Sequence, residues 1–196
     1  MTSLSLEEKK ILILNNEETM AGQLAVRVLD KPQPPIWMIL IPIFFVFFAA
    51  KMKQYSKGLK EFSKNYMISR VWALDAAHTA VANDKEIEIE KMLQQAEGIP
   101  ENAMPLYRDW LNMVAEHYYT LLAAHGTNHS ALVRAGYRNK SSYLLFCDRL
   151  SKAENALNQA LLPDIEGELE DVNLIIEKMA KNSSELRRIE VEKIFS

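Results

Sequence analysis

Residues 36–50 read IWMILIPIFFVFFAA, fifteen consecutive positions without a charged or polar side chain. A helix needs roughly 20 apolar residues to cross the ~30 Å hydrocarbon layer. Fifteen helical residues reach only about 22 Å at 1.5 Å each. The flanks make up the difference. Trp37 and Tyr55 stand eighteen positions apart, about 27 Å along a helix, and both residue types favour membrane interfaces. Lys51 and Lys53 can snorkel on their apolar stems, which lets Met52 lie below the headgroups. Pro34 and Pro35 suit a helix start, where a missing N–H loses nothing. The segment is therefore expected to insert as Pro35 to about Tyr55, through Ile36, Trp37, Pro42, Phe44, Phe45, Phe47 and Phe48. Pro42 removes one backbone hydrogen bond and clashes with the carbonyl of Met38, which kinks the helix. A short kinked segment leaves two alternatives to a full crossing: re-entry on the same side, or a buried helix of a soluble core. The preceding tail lacks the basic stretch of a cleaved signal peptide, so an uncleaved anchor is expected.

Working outward, charge is uneven although the whole chain carries only −3. Residues 51–70 hold six basic groups against Glu61, net +5, while residues 71–105 sum to −5 and residues 164–196 to −4. The flank at 16–35 offers only Arg27 and Lys31. An excess of Lys and Arg beside an apolar span marks the cytoplasmic side, so the C-terminal body is expected there. Lys51, Lys53, Lys57, Lys60 and Lys64 are candidate contacts to lipid phosphates, each worth about 1 kcal/mol near an anionic leaflet. The aromatic interleaving of a nucleic-acid surface is missing from this block, and no nucleic-acid partner is expected.

The rest of the chain reads as helix, with six glycines and seven prolines in 196 residues. Residues 5–30 form an N-terminal helix with Glu7 and Glu8 in its first turn and a break at Asn15-Asn16. Lys31-Pro32-Gln33-Pro34-Pro35 is a stiff connector. Three regions follow: 1–35, helix and connector; 36–55, anchor; 56–196, a helical cytoplasmic domain. Met52, Tyr55, Leu59, Phe62 and Tyr66 recur at three and four, a heptad seam that continues through Ser69, Ala73, Ala76 and Ala80. Gly58 inside it reads as a close-packing point or hinge. A further helix is expected from Lys85 to Glu97, another after Pro105 to Gly126, a short one to Gly136, and one from Asn139 or Ser141 to Leu162. That last helix buries Leu144, Leu145, Leu150, Ala153, Leu157 and Leu161. From Pro163-Asp164 a final helix repeats Ile165, Leu169, Val172, Ile176 and Met179 at heptad spacing. Tyr55, Leu59, Phe62, Leu169, Val172, Ile176 and Met179 are thus candidate helix-association residues.

Little in this pattern carries chemistry. His117, His125 and His129 fall close together, but no HExxH or paired ExxH accompanies them, so no metal site is expected. Asp75 and His78 are helix neighbours without a third partner. Phosphate loops and nucleophile elbows are missing, and neither a cofactor nor an enzymatic activity is expected. Cys147, the single cysteine, reads as a small buried hydrophobe, with a reactive or palmitoylated thiol as the alternative. Arg134, Arg138 and Lys140 form a second basic cluster, either facing lipid phosphates or the acidic run at 84–90, or simply solvated. The expectation is an all-α, membrane-anchored scaffold that self-associates or organises partner proteins. The alternative is an accessory subunit of a larger membrane complex.

Overall fold

The computed structural model describes residues 4–31, 44–94, 96, 99–161 and 169–196. Seven helices run through these residues, and none of them is in a strand. They are α1 (Leu6–Val28), α2 (Phe44–Asn83), α3 (Ile89–Gln94), α4 (Met104–Ala123), α5 (His129–Tyr137), α6 (Lys140–Leu161) and α7 (Leu169–Phe195).

Local chemistry sets the helix ends. Ser5 caps α1 in a reciprocal box: its hydroxyl accepts from Glu8 N–H, and its own N–H donates to the Glu8 carboxylate. The Asn15-Asn16 pair does not break α1, and the Asn16 amide is used between helices, its Nδ2 donating to Glu190. Asn128 caps α5 by accepting from Ala131 N–H, and Asn139 does the same for Ser142 at the start of α6. Gly126 makes the α4–α5 turn possible, since a Cβ there would lie 2.8 Å from the Leu132 nitrogen. The helix expected from Lys85 is shorter: residues 85–88 are non-helical and α3 begins at Ile89. Asp84 supplies the break, with φ at 50° in the left-handed region that short polar side chains tolerate.

Ion pairs give the helix directions. Lys10 meets Asp75, Glu17 meets Arg70, and Leu29 lies beside Gly58, so α1 runs antiparallel to α2. Asn16–Glu190, Arg27–Glu185 and Asp30–Lys178 make α1 antiparallel to α7 as well. The main core sits where α4 is surrounded by α1, α2, α5 and α6, with Leu111, Leu121, Leu122 and Leu132 fully buried. Each such leucine contributes about 1.5–3 kcal/mol by leaving water. Ala73, Ala77 and Ala80 are also fully buried, and these small side chains let α2 and α4 approach closely.

Among the described side chains, part of each heptad seam is met within the chain. Phe62, Tyr66 and Met179 pack on a second cluster of Leu24, Val28 and Leu186, and Ile176 is 5% exposed. Tyr55 and Leu59 stay half-exposed. The side chains of Leu169 and Val172 lie outside the described residues. Leu145, expected in the core, is 61% exposed. Its neighbours Tyr143, Phe146 and Cys147 take the inward face of α6 instead.

Among the described residues, no helix is long and apolar enough to cross a membrane. Ile36, Trp37 and Pro42 lie outside the described residues. Phe44, Phe45, Phe47, Phe48 and Lys51 fall on the first two turns of α2, with side chains outside the description.

Candidate functional site

Two features stand out, one on the surface and one inside. On the surface, Lys53, Lys57, Lys60 and Lys64 are all exposed and follow one another at four, three and four, so they form a row on one side of α2. The row is about 16 Å long at helical rise. It lies opposite the side that buries Phe62, Tyr66 and Ala73. Among the described residues only Lys57 has an acidic partner, Glu61 one turn on. The row then runs into Met67, Ile68 and Val71, which with Trp72 line a groove between α1 and α2. Ile68 is 40% exposed there.

Arg70, counted with the basic block, is withdrawn from it. It points inward, 5% exposed, and is the centre of the interior feature. Its Nε donates to Glu17 at 3.1 Å and its Nη2 to Glu154. Arg187 donates to the same Glu154 at 2.7 Å and to Ser151 at 2.8 Å. The Arg70 guanidinium stacks 3.9 Å from the Tyr66 ring centroid. Four helices, α1, α2, α6 and α7, thus contribute one charge each, two of either sign. Burial opposes the charge on both arginines, but the facing acids and Tyr66 outweigh it, so both are held more firmly protonated than usual. Burial likewise opposes the charge on Glu154, and Arg187 and Arg70 overcome it, holding its carboxyl below the usual range. Glu190, which accepts from Asn16, has no such cation at hydrogen-bond distance among the described residues, and burial raises its pKa.

Two cavities border this centre. A small one of about 30 Å³ lies among Tyr66, Tyr118, Glu17, Glu190 and Arg187, the size of a single water molecule. The hydroxyls of Tyr66 and Tyr118 are buried without a hydrogen-bond partner among the described residues. A larger one of about 280 Å³ opens on the other side, between α2, α4, α6 and α7.

The histidines do not converge. His117 is 8% exposed, bonded to Tyr137 at 2.7 Å and stacked 4.4 Å from Phe146, where burial lowers its pKa to about 3. His129 is half-buried, 3.8 Å from Glu190, and burial lowers its pKa to about 4. His125 is exposed, and no metal-binding group occurs among the described residues. His78 pairs with Glu7 rather than Asp75, which is taken by Lys10. Cys147 is 3% exposed and burial pushes its thiol up to about 12, so it is no nucleophile at neutral pH. The second basic cluster clamps α7 instead of meeting the acidic run: Arg134 donates to the Ile194 carbonyl and Lys140 pairs with Glu192. Glu90 of the acidic run pairs with Arg108.

Regional charge sums do not mark the ionic centre, because they treat every Arg and Glu alike. A signal was present. Glu17 falls between Ile13 and Leu24, and Glu154 between Leu150 and Leu157, at seam positions where an apolar residue belongs. No family model matches the chain, and neither a curated protein nor a solved structure does.

Proposed function

We propose that this protein is a membrane-anchored helical scaffold whose body is seated on an anionic cytoplasmic leaflet and organises protein partners there. The observation that carries this reading is the exposed row Lys53–Lys57–Lys60–Lys64 on the outer side of α2, directly after the apolar stretch at 36–50. A helix leaving the bilayer along its normal would bring only the first lysines within reach of headgroups, because the attraction falls off within a Debye length of about 8 Å. A row of this length suits a helix that enters the leaflet at a shallow angle. Lipid phosphates then meet the lysines, and Met67, Ile68 and Trp72 face the interface further along.

Flotation of the purified chain with vesicles tests this. Retention is expected to be greater on vesicles with 30% phosphatidylserine than on phosphatidylcholine alone, and Lys57→Gln, Lys60→Gln and Lys64→Gln together are expected to abolish the difference. Equal retention on both vesicles, or no effect of the triple substitution, refutes the seating. A second reading, an accessory subunit of a larger complex, is favoured by Leu174 and Ile175 on α7, which remain 49% and 41% exposed. Mass measurement in detergent separates the two: a scaffold assembles beyond the 22.4 kDa monomer, whereas an accessory subunit stays monomeric without its partner.

A further inference from the structure

The cavity of about 280 Å³ beside the ionic centre has the features of a ligand site that the membrane-seating role does not use. We propose that it binds a small, uncharged, planar molecule that carries a hydrogen-bonding group, of the chemistry of an aromatic amide. Size comes first: 280 Å³ corresponds to about nine water volumes, enough for one substituted ring.

Shape and surface come next. Tyr66, Tyr107 and Trp110 are among the residues that line it, with Tyr107 and Trp110 stacked on each other at 5.8 Å. Their ring faces are engaged by Arg70, Phe62 and each other, so a planar guest meets them through tilted, edge-on contacts. Leu24, Leu157 and Met179 supply the apolar remainder. Pockets of this kind, mostly apolar with a few convergent polar groups, are where small molecules bind.

The polar groups specify a neutral guest. Arg70 and Glu154, which line the cavity, are already matched to each other and to Glu17 and Arg187. A charged ligand would pull one member away and leave another buried and uncompensated. What remains available is neutral. The carboxamides of Asn65 and Asn155 line the cavity beside that of Asn158. The half-buried carboxamide of Asn158 offers both a donor and an acceptor. An amide or hydroxyl on the guest pairs with these donors and acceptors.

Benzamide is the probe, with benzoate and benzylamine as charged isosteres of similar shape. Saturation-transfer NMR and calorimetry on the purified full chain are expected to show benzamide binding at least about tenfold more tightly than either charged probe, a difference of about 1.4 kcal/mol. Ala180→Phe fills the cavity from α7 and is expected to abolish binding. If that variant does not fold, Asn158→Leu removes the carboxamide at similar volume and is expected to weaken benzamide about tenfold with an unchanged melting temperature. No detectable binding of benzamide to the wild-type chain at millimolar concentration overturns the proposal. So does binding that survives in folded Ala180→Phe, benzamide binding that is not weakened in Asn158→Leu, or benzoate or benzylamine binding as well as benzamide. None of these readouts depends on vesicles, so failure here leaves the seating on the leaflet untouched, and the reverse.

Discussion

Replacing Glu154 by Gln tests whether the ionic centre holds the bundle together. The substitution keeps the size of the side chain and removes its charge. In the native protein one carboxylate serves two guanidiniums, Arg70 at 5% and Arg187 at 6% exposure, with Trp110 Nε1 at 3.5 Å. After substitution Arg70 keeps Glu17, but Arg187 keeps only the neutral Ser151 hydroxyl. Breaking a buried pair by removing one partner costs about 3–5 kcal/mol. The Gln carbonyl still accepts one hydrogen bond, which places the expected loss near the lower end, about 3 kcal/mol. For a chain of this size that lowers the melting temperature by about 6–12 °C. Thermal and urea melts followed by circular dichroism, on the chain in mild detergent, measure it. The sign of a double variant is the sharper check. Adding Arg187→Met to Glu154→Gln removes the uncompensated cation, so the double variant is expected to be more stable than Glu154→Gln alone. A single-variant loss below about 1 kcal/mol, or a double variant less stable than the single, would show that the guanidiniums do not depend on this carboxylate.

Stability is also expected to fall with acidification. His117 and His129 titrate near 6.5 when unfolded but near 3 and 4 when folded, so between those values the unfolded chain binds protons that the fold refuses. From pH 7.5 to 5 each loses about 2 kcal/mol. Glu190, whose pKa is raised, works in the opposite sense and trims the total. His117→Phe should flatten the pH slope in urea melts, and an unchanged slope would count against a neutral buried imidazole. Gly22→Ala and Gly58→Ala are expected to raise stability by about 1 kcal/mol each. A Cβ meets nothing within 4 Å at Gly22 and only Leu29 at 3.7 Å at Gly58, so a lowered melting temperature would expose a hinge role for either glycine. At Gly126 the same change puts a Cβ 2.8 Å from backbone and is expected to cost about 1–3 kcal/mol, with a neutral result contradicting the tight turn. Cys147, 3% exposed with a thiol raised to about 12, should resist a thiol reagent at pH 8 until urea opens the bundle. Labelling of the native chain within seconds would show that α6 and α7 part readily.

Much of this protein follows from neighbours in sequence. Ser5 with Glu8, Asn128 and Asn139 are caps, and their partners lie three residues away, so the helix starts are local chemistry. The lysine row on α2 is equally local, since spacings of four and three place side chains on one side of any helix. The apolar seams through Phe62, Ile176 and Met179 could likewise be read as faces that must be buried. What they are buried against could not, because periodicity identifies a face without identifying the surface it meets, and α1 and α7 meet the seam that could equally have met another chain. Leu145 shows the same limit in reverse: one apolar residue too many for the inward face of α6 was left in solvent. The pairing within the ionic centre needed the tertiary structure, since the seam positions of Glu17 and Glu154 do not name their partners. Arg70 meets Glu17 and Glu154 across 53 and 84 residues, and Arg187 meets Glu154 across 33. A charge at a seam position is tolerable only if another helix brings the opposite charge to the same depth, and that coincidence belongs to the packing. The cavity beside it has the same origin. Five helices and one loop residue line it, and its shape is the space their side chains leave between them.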